Sequence, residues 1–375
     1  MRRLPAALMF FWLLPNLLSA QEKGNIDNLP VHEYALTIDK NMVNKAGKDV
    51  MGMTVNGGIP GPTLTFTEGE YAVITVTNNM DVETSVHWHG LILPNYYDGV
   101  PYLTTPPIKP GQSLKYEFPL KQSGTYWYHS HTMLQEQRGV YGSIVIKPKE
   151  QKLDYDRDFV IVLSDWINES PHSQLKNLKR GNEWYLIKKG QIQSWDKIIK
   201  KKAVGAKLKM LWQRMPDMAI SDNYFDQFLL NGESTQDYTD FNPGEKVRVR
   251  FINASAATYF WLTFGEKDPL LVAADGQDVV PVKKNKTLIA IAETYDYIVT
   301  IPENGKLEIL ATAQDGSGSA NALLGKGETI AAPRVPKPDL IENMKEMMSM
   351  KMKMGAPSSK FRPSVEDSIN VMKKY

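Results

Sequence analysis

Four of the six histidines in this 375-residue sequence fall in two paired motifs, His87-Trp88-His89-Gly90 and Tyr128-His129-Ser130-His131. Alternate side chains of an extended strand share a face, roughly 7 Å apart. Each His-x-His pair therefore offers two imidazoles to one side of a strand and can serve two adjacent metal ions. The runs ahead of them, Thr84-Ser85-Val86 and Thr125-Tyr126-Trp127-Tyr128, are rich in the β-branched and aromatic residues that favour strand. Neutral imidazole suits copper, zinc, iron and nickel, and in the stability order of divalent metals copper binds such donors most tightly. A single pair is common on a protein surface. Two pairs inside apolar, aromatic strands make a metal site the better reading.

The elements that must position these residues read as β. From about residue 31 to 148, short alternating runs such as Tyr71-Ala72-Val73-Ile74-Thr75-Val76-Thr77 are separated by Gly, Pro and Asn turns, the pattern of an all-β sandwich. A second β stretch runs from about 225 to 313 and contains the alternating Lys246-Val247-Arg248-Val249-Arg250-Phe251-Ile252. It looks like a copy of the first: residues 69–78 align with 244–253, and Val55-Asn56-Gly57 with Leu230-Asn231-Gly232. Carried forward, that register sets His129 and His131 against Leu310 and Thr312, and the His87 and His89 region against residues 259–261. The second copy has lost the ligands and is expected to act as a structural partner or interface.

The length exceeds a single hydrophobic core, so two domains are expected. The predicted organisation is a signal peptide at 1–20, β-sandwich domains at 21–150 and 151–332, and a Met-rich tail or linker at 333–375. A basic, amphipathic helical insertion is expected at about 170–220. There Trp195, Ile198, Ile199, Leu208, Leu211 and Trp212 recur near helical spacing, and residues 176–209 hold eleven Lys or Arg against only Glu183 and Asp196. A solvated helix face is the reading adopted, with a docking surface for a partner protein as the alternative. Across the chain 44 basic residues nearly balance 42 acidic ones, which argues against nucleic acid or an anionic surface as the principal partner.

The N-terminus has the charged, apolar and small-residue regions of an export signal: Met1-Arg2-Arg3, an apolar run at 4–18 broken by Pro5 and Pro15, then Ser19-Ala20. Cleavage is expected after Ala20, giving an exported, periplasmic protein, with the export route open between the general and twin-arginine systems. No later stretch approaches the ~20 apolar residues of a membrane-spanning helix. The sequence has no cysteine, which excludes disulfides, thiolate zinc sites and a blue-copper centre. After Ala313 the chain reads as loop-like, and then Met344, Met347, Met348, Met350, Met352 and Met354 fall within eleven positions. Thioethers favour Cu(I), so copper capture and simple helix packing stand as equal readings.

Around the histidine motifs lie Pro60-Gly61-Pro62-Thr63, Asp98-Gly99-Val100-Pro101, Gly124-Thr125-Tyr126-Trp127-Tyr128, Ala274-Asp275-Gly276-Gln277 and Ala292-Glu293-Thr294-Tyr295-Asp296. With these strings the chain resembles the multicopper oxidases, and among them the bacterial copper-resistance enzymes, over nearly all of its length after residue 20. The resemblance implies an all-β chain of two cupredoxin-like Greek-key β-sandwich domains. It implies that His87 binds a type 2 copper, that His89, His129 and His131 bind a type 3 pair, and that Asp98 assists proton delivery during O2 reduction. A nearby carboxylate suits proton relay, although Asp-Gly is also an ordinary turn pair.

The departures are as informative. The family's further histidine motifs and its His-Cys-His motif, which supply the rest of the cluster and the type 1 copper, are not in this sequence. His32 and His172 are isolated and expected at the surface. The favoured expectation is therefore the N-terminal part of a copper-dependent oxidase acting on Cu(I) or organic donors with O2, holding half a trinuclear site, completed by a C-terminal cupredoxin domain supplied separately and inactive without it. The alternative is a non-catalytic copper-sequestering protein. A zinc or di-metal hydrolase site, for which Asp98 is the sole nearby carboxylate, is a weaker third reading.

Overall fold

The computed structural model describes residues 28–349; the expected signal peptide and Met350, Met352 and Met354 lie outside the described residues. The chain divides into a β unit, built from the described part of Met1–Pro171 with Phe225–Thr312 and Gly318–Arg334, and a helical unit made of His172–Tyr224, Ala313–Ser317 and the described part of Val335–Tyr375.

The first half of the β unit contains β1 (Val31–Asn44), β2 (Asp49–Val55), β3 (Leu64–Thr67), β4 (Tyr71–Asn78), β5 (His87–His89), β6 (Ser113–Pro119), β7 (Gly124–His129) and β8 (Tyr141–Lys147). They form two four-stranded sheets ordered β2-β1-β4-β6 and β3-β8-β7-β5. The second half contains β9 (Arg157–Trp166), β10 (Gln227–Leu230), β11 (Thr235–Tyr238), β12 (Lys246–Asn253), β13 (Phe260–Phe264), β14 (Leu270–Ala274), β15 (Gln277–Lys283), β16 (Lys286–Ile289), β17 (Thr294–Thr300), β18 (Gly305–Ala313), β19 (Ser319–Lys326) and β20 (Thr329–Ile330). Its sheets run β10-β9-β12-β17-β14-β15 and β11-β19-β18-β13-β16. The fold is two cupredoxin-like β-sandwiches with a helical insertion: the sequence pattern predicts the duplicated sandwich and the insertion, and the resemblance implies the cupredoxin character.

The repeat read from the sequence is a repeat of structure. The parallel pairs β1 with β4 and β3 with β8 recur as β9 with β12 and β11 with β19. Asn56 and Gly57 both take left-handed backbone, with φ of 50° and 79°, and Asn231 and Gly232 repeat it at 48° and 87°. A two-residue hairpin turn of this kind needs positive φ at both central positions, which Asn-Gly supplies with least strain. The aligned asparagines also share a role. Asn78 donates to the Val82 and Ile108 carbonyls, and Asn253 to those of Thr258 and Ile289. Both asparagines are fully buried, so these bonds satisfy polar atoms that would otherwise be costly.

The first sandwich encloses a core that includes Leu36, Phe66, Ile74, Trp88, Tyr116 and Tyr128. A second cluster, with Ile59, Trp127 and Tyr141 from the first half and Val162, Trp166 and Ile252 from the second, joins the two halves. One expectation is corrected here. The chain after Ala313 is not loop-like until past residue 330, because Ser319–Lys326 forms β19, paired with β18 from Gly305 to Thr312. Its Ala, Leu and Gly residues gave little β signal of their own, and the pairing with a neighbouring strand decides its state.

The helical unit holds α1 (Pro171–Arg180), α2 (Trp184–Lys188), α3 (Trp195–Lys200), α4 (Val204–Trp212) and α5 (Leu340–Ser349). Its core joins Ile198, Ala203 and Met210 to Ile341, Met344 and Met348, with Met347 packed at the edge. These three methionines of the cluster thus take the packing role. The six apolar residues expected to line a helix face behave unevenly: Ile198 is buried, whereas Trp195, Ile199, Leu208, Leu211 and Trp212 face outward. No described helix is long and apolar enough to cross a membrane.

Candidate metal centre

β5 and β7 pair antiparallel with His87 opposite His129, Trp88 opposite Tyr128 and His89 opposite Trp127. Strand alternation then sorts the side chains. Trp88, Tyr126 and Tyr128 turn into the first core, leaving His87, His89, Trp127 and His129 for the opposite face of the sheet. His131 follows just beyond β7, and its amide donates to the Ser85 hydroxyl.

The four rings cluster. Centroids lie 5.5 Å apart for His87 and His89, 5.4 Å for His87 and His129, and 5.8 Å for His87 and His131. One ligand atom from each of His87, His89 and His129 can be chosen so that all lie within 4.8 Å of one another. His131 stands at the edge of this group, its centroid 6.1 Å from that of His129. The indole of Trp127 stacks on both His129, at 4.2 Å, and His89, at 5.1 Å, so a side chain rooted in the inter-domain core fixes two rings.

Hydrogen bonds fix the others' orientation. His87 Nδ1 sits 2.6 Å from the Asp98 carbonyl oxygen, while the Asp98 carboxylate is farther, at 3.5 Å. Gly99 makes that approach feasible. Its φ is +90°, and a Cβ there would overlap the Val86 carbonyl, so no other residue lets the loop lie so close to β5. His129 Nδ1 is 2.8 Å from the Glu136 carboxylate and 3.0 Å from the Ser130 carbonyl oxygen. The other ring nitrogen of His129, Nε2, faces His89 Nδ1 at 3.4 Å.

Burial, reinforced by the neighbouring imidazoles, pushes the His89 pKa down to about 4, and burial likewise lowers that of His87. Both rings are neutral at pH 7, the form that binds metal. Converging ring nitrogens, with His87 and His129 anchored through their outer Nδ1, are a fitting seat for a borderline-soft divalent or monovalent cation. Carboxylates stand behind the rings, at the outer Nδ1 atoms of His87 and His129, and not among the converging nitrogens.

Sequence reasoning brought the four histidines together but missed Glu136 and the role of Trp127. Glu136 opens a single 3-10 turn after His131, and nothing in its neighbours distinguishes it from a surface acid. It also missed what grips β7 at Thr125, on the same face as the histidines. Thr125 donates to Asp296 and accepts from Arg250, and Asp296 takes two bonds from Arg248 and one from Arg250. Arg250 also reaches Asp158 at 2.6 Å. Of the remaining candidates, His172 is exposed, but His32 is only partly so, stacked on Tyr34 and 3.3 Å from Glu70. Met344, Met347 and Met348 belong to the helical unit.

Residues 37–151 and 157–331 each match a family model described as multicopper oxidase. Copper resistance protein A of Escherichia coli is 41% identical over 318 residues, covering 82% of this chain and 52% of the relative. A copper resistance protein A homolog of Pseudomonas syringae pv. tomato is 36% identical over 367 residues, covering 95% and 61%. The chain thus spans little more than half the length of these curated relatives. Among solved structures, the laccase from Botrytis aclada has a TM-score of 0.62 at 26% identity, over 84% of this chain and 57% of that one. Fet3p, a multicopper oxidase that functions in iron import, has a TM-score of 0.63 at 22% identity, over 82% and 55%, a likeness of fold alone. Two family models in tandem, with these relatives and this cupredoxin-like fold, establish that the chain belongs to the multicopper oxidase family.

Proposed function

We propose that His87, His89, His129 and His131 hold copper and form one half of a trinuclear site, as the family resemblance implies, for O2 reduction coupled to oxidation of Cu(I) or an organic donor. The observation that carries this reading is the convergence of three imidazoles within 4.8 Å, each ring stacked or hydrogen-bonded from outside. Bound copper would supply the one-electron redox chemistry that the protein's own side chains lack. The chain's part is to present neutral nitrogens, to hold His87 through the Asp98 carbonyl and His129 through Glu136, and to keep Trp127 beneath two rings. The Asp98 carboxylate, 3.5 Å from His87 Nδ1 and partly exposed, is within reach to pass protons from solvent.

The sequence contains no cysteine and only two further histidines, so the other ligands and the electron-accepting copper are assigned to a cupredoxin domain outside these residues. Large exposed apolar side chains in the loops next to the histidines, Tyr102, Leu103 and Met133, support a face meant to be covered. Export to the periplasm remains part of this reading through residues 1–20. The Cu(I) role for the methionine cluster falls to Met350, Met352 and Met354, since Met344 and Met348 are spent on packing.

The test is metal analysis and Cu(II) titration of the purified chain before and after His129→Ala. Copper retained through dialysis by the parent and lost in the variant is expected; a parent that emerges metal-free sinks the proposal. Oxygen uptake with a phenol or Cu(I) separates the half-site from the alternative, a non-catalytic copper-binding protein. The chain alone is expected to be inactive under both, and only the half-site gains activity when a type 1 domain is added.

A further inference from the structure

The helical unit presents a surface the metal centre does not use. α4 turns Val204, Leu208, Leu211 and Trp212 outward, a spacing of i, i+4, i+7 and i+8 that defines one helix face, while Lys207 and Met210 are buried on the other. α3 exposes Trp195 and Ile199 and buries Ile198, and α2 exposes Trp184 and Ile187 and buries Tyr185. Trp212 is 90% exposed, and Trp184 and Trp195 are 47% and 49% exposed. Of 24 large apolar side chains exposed among the described residues, nine lie in residues 175–212, a concentration too high for scattered surface residues and characteristic of an interaction site.

Charge indicates what covers it. Residues 176–209 carry ten lysines and one arginine against two acids. Four of the lysines are engaged internally, Lys189 with Asp315, Lys201 with Asp339, Lys207 with Asp217 and Lys209 with the Met348 carbonyl oxygen; Lys188 lies over the Tyr224 ring and Lys197 donates to the Ile192 carbonyl oxygen, yet both stay exposed with Lys176, Lys179, Lys200 and Lys202 beside the apolar residues. The chain's own C-terminal residues 350–375 hold six basic and two acidic residues, the wrong sign to lie on a basic face. Protein interfaces enrich tryptophan and arginine but deplete lysine, whereas tryptophan beside many lysines is the composition of helices that lie in a membrane surface, where the indole sits at headgroup level and lysine stems reach anionic phosphates.

We propose that α2 to α4 dock this protein onto an anionic phospholipid bilayer, with Trp184, Trp195 and Trp212 entering the interface and the flanking lysines binding lipid phosphates. The docking is peripheral and depends on both the indoles and the lysines. It is independent of copper binding and is tested on the metal-free full chain.

The measurement is co-sedimentation with vesicles of phosphatidylglycerol mixed into phosphatidylcholine, compared with phosphatidylcholine alone. The parent is expected to bind the mixed vesicles at least about tenfold more tightly, and to release as salt rises. The combined Trp184→Ala, Trp195→Ala and Trp212→Ala variant, altered only at exposed positions, is expected to lose about tenfold or more of that affinity with unchanged circular dichroism. Changing Lys188, Lys197 and Lys200 to glutamine should remove the preference for the anionic lipid. All variants keep residues 1–27, so the differences report on the helices. Equal binding to both vesicles, no binding, or a tryptophan variant that sediments like the parent overturns the proposal. Tryptophan-dependent retention on polyglutamate without vesicle binding also overturns it, in favour of an acidic protein.

Discussion

β7 and β18 are the same strand in two copies of one sandwich, and they have been put to different uses. Both begin at a glycine with strongly positive φ, Gly124 at 135° and Gly305 at 125°. In the first copy the outward face of β7 carries Thr125, Trp127 and His129; in the second the aligned positions are Lys306, Glu308 and Leu310. The first face is covered by the second domain, through the Arg250 and Asp296 network and the Trp127 cluster. The second is covered by the chain's own continuation, where Glu308 accepts from the Ala332 amide and pairs with Arg334, and β20 runs beside β18. The fold needs that face to be buried and does not need it to bind metal. Histidines there are a use made of the scaffold, and leucine there is the scaffold alone.

The comparison is broken most forcefully at the joint. Arg250→Ala leaves Asp296 and Asp158 short of a buried partner and is expected to cost about 3–5 kcal/mol in urea unfolding, with copper affinity falling as Trp127 loses its backing. Normal stability in that variant would mean the network is not what holds β7. Next comes an exchange of roles. Leu310→Ala should lose about 2–5 kcal/mol of stability with copper binding intact, whereas His129→Ala should abolish copper retention with a much smaller stability loss. Parallel effects of the two changes would erase the distinction between the copies.

A third expectation concerns a buried acid of the second copy. Desolvation raises the Asp165 pKa to about 6, against the hydrogen bonds from Thr258 and the amides of Ala256 and Ala257. A raised carboxyl binds its proton more tightly folded than unfolded, so its contribution is full below pH 4 and is lost as pH climbs toward 6 and beyond, by about 3 kcal/mol at most. Asp165→Asn should therefore trail the parent more at pH 4 than at pH 7 in paired denaturant titrations, and a gap that does not change with pH contradicts the assignment. The smallest effect is expected from Glu136→Gln, which keeps the shape but weakens the anchor on His129. Copper affinity should drop about 10–100-fold, and an unchanged titration curve would reduce Glu136 to a surface acid.

Much of this was legible in the sequence because the repeat repeats its punctuation. Asn-Gly turns, the aligned runs that end at Asn78 and Asn253, and the paired histidines are local signals that survive without knowledge of the fold. What could not be read depends on distant chain segments meeting. Thr125 and Asp296 are 171 positions apart, and Glu136 gains meaning only from folding back on His129. The helical insertion was legible by period but not by side: Trp195, Leu208 and Trp212 mark a face without stating whether core or solvent receives it. The whole-chain charge balance concealed the same region by averaging a strongly basic stretch against acids elsewhere.

The hold on His87 has a consequence for how position 98 can change. The ring is steered by the main-chain oxygen of Asp98, which every amino acid possesses, and the side chain points into the same neighbourhood as a separate component. Aim and acidity are therefore set independently. If Asp98 relays protons as proposed, asparagine, glutamate or serine at that position should change proton supply while the imidazole keeps its bearing, a freedom that Gly99 next door, pinned by the Val86 carbonyl, does not share.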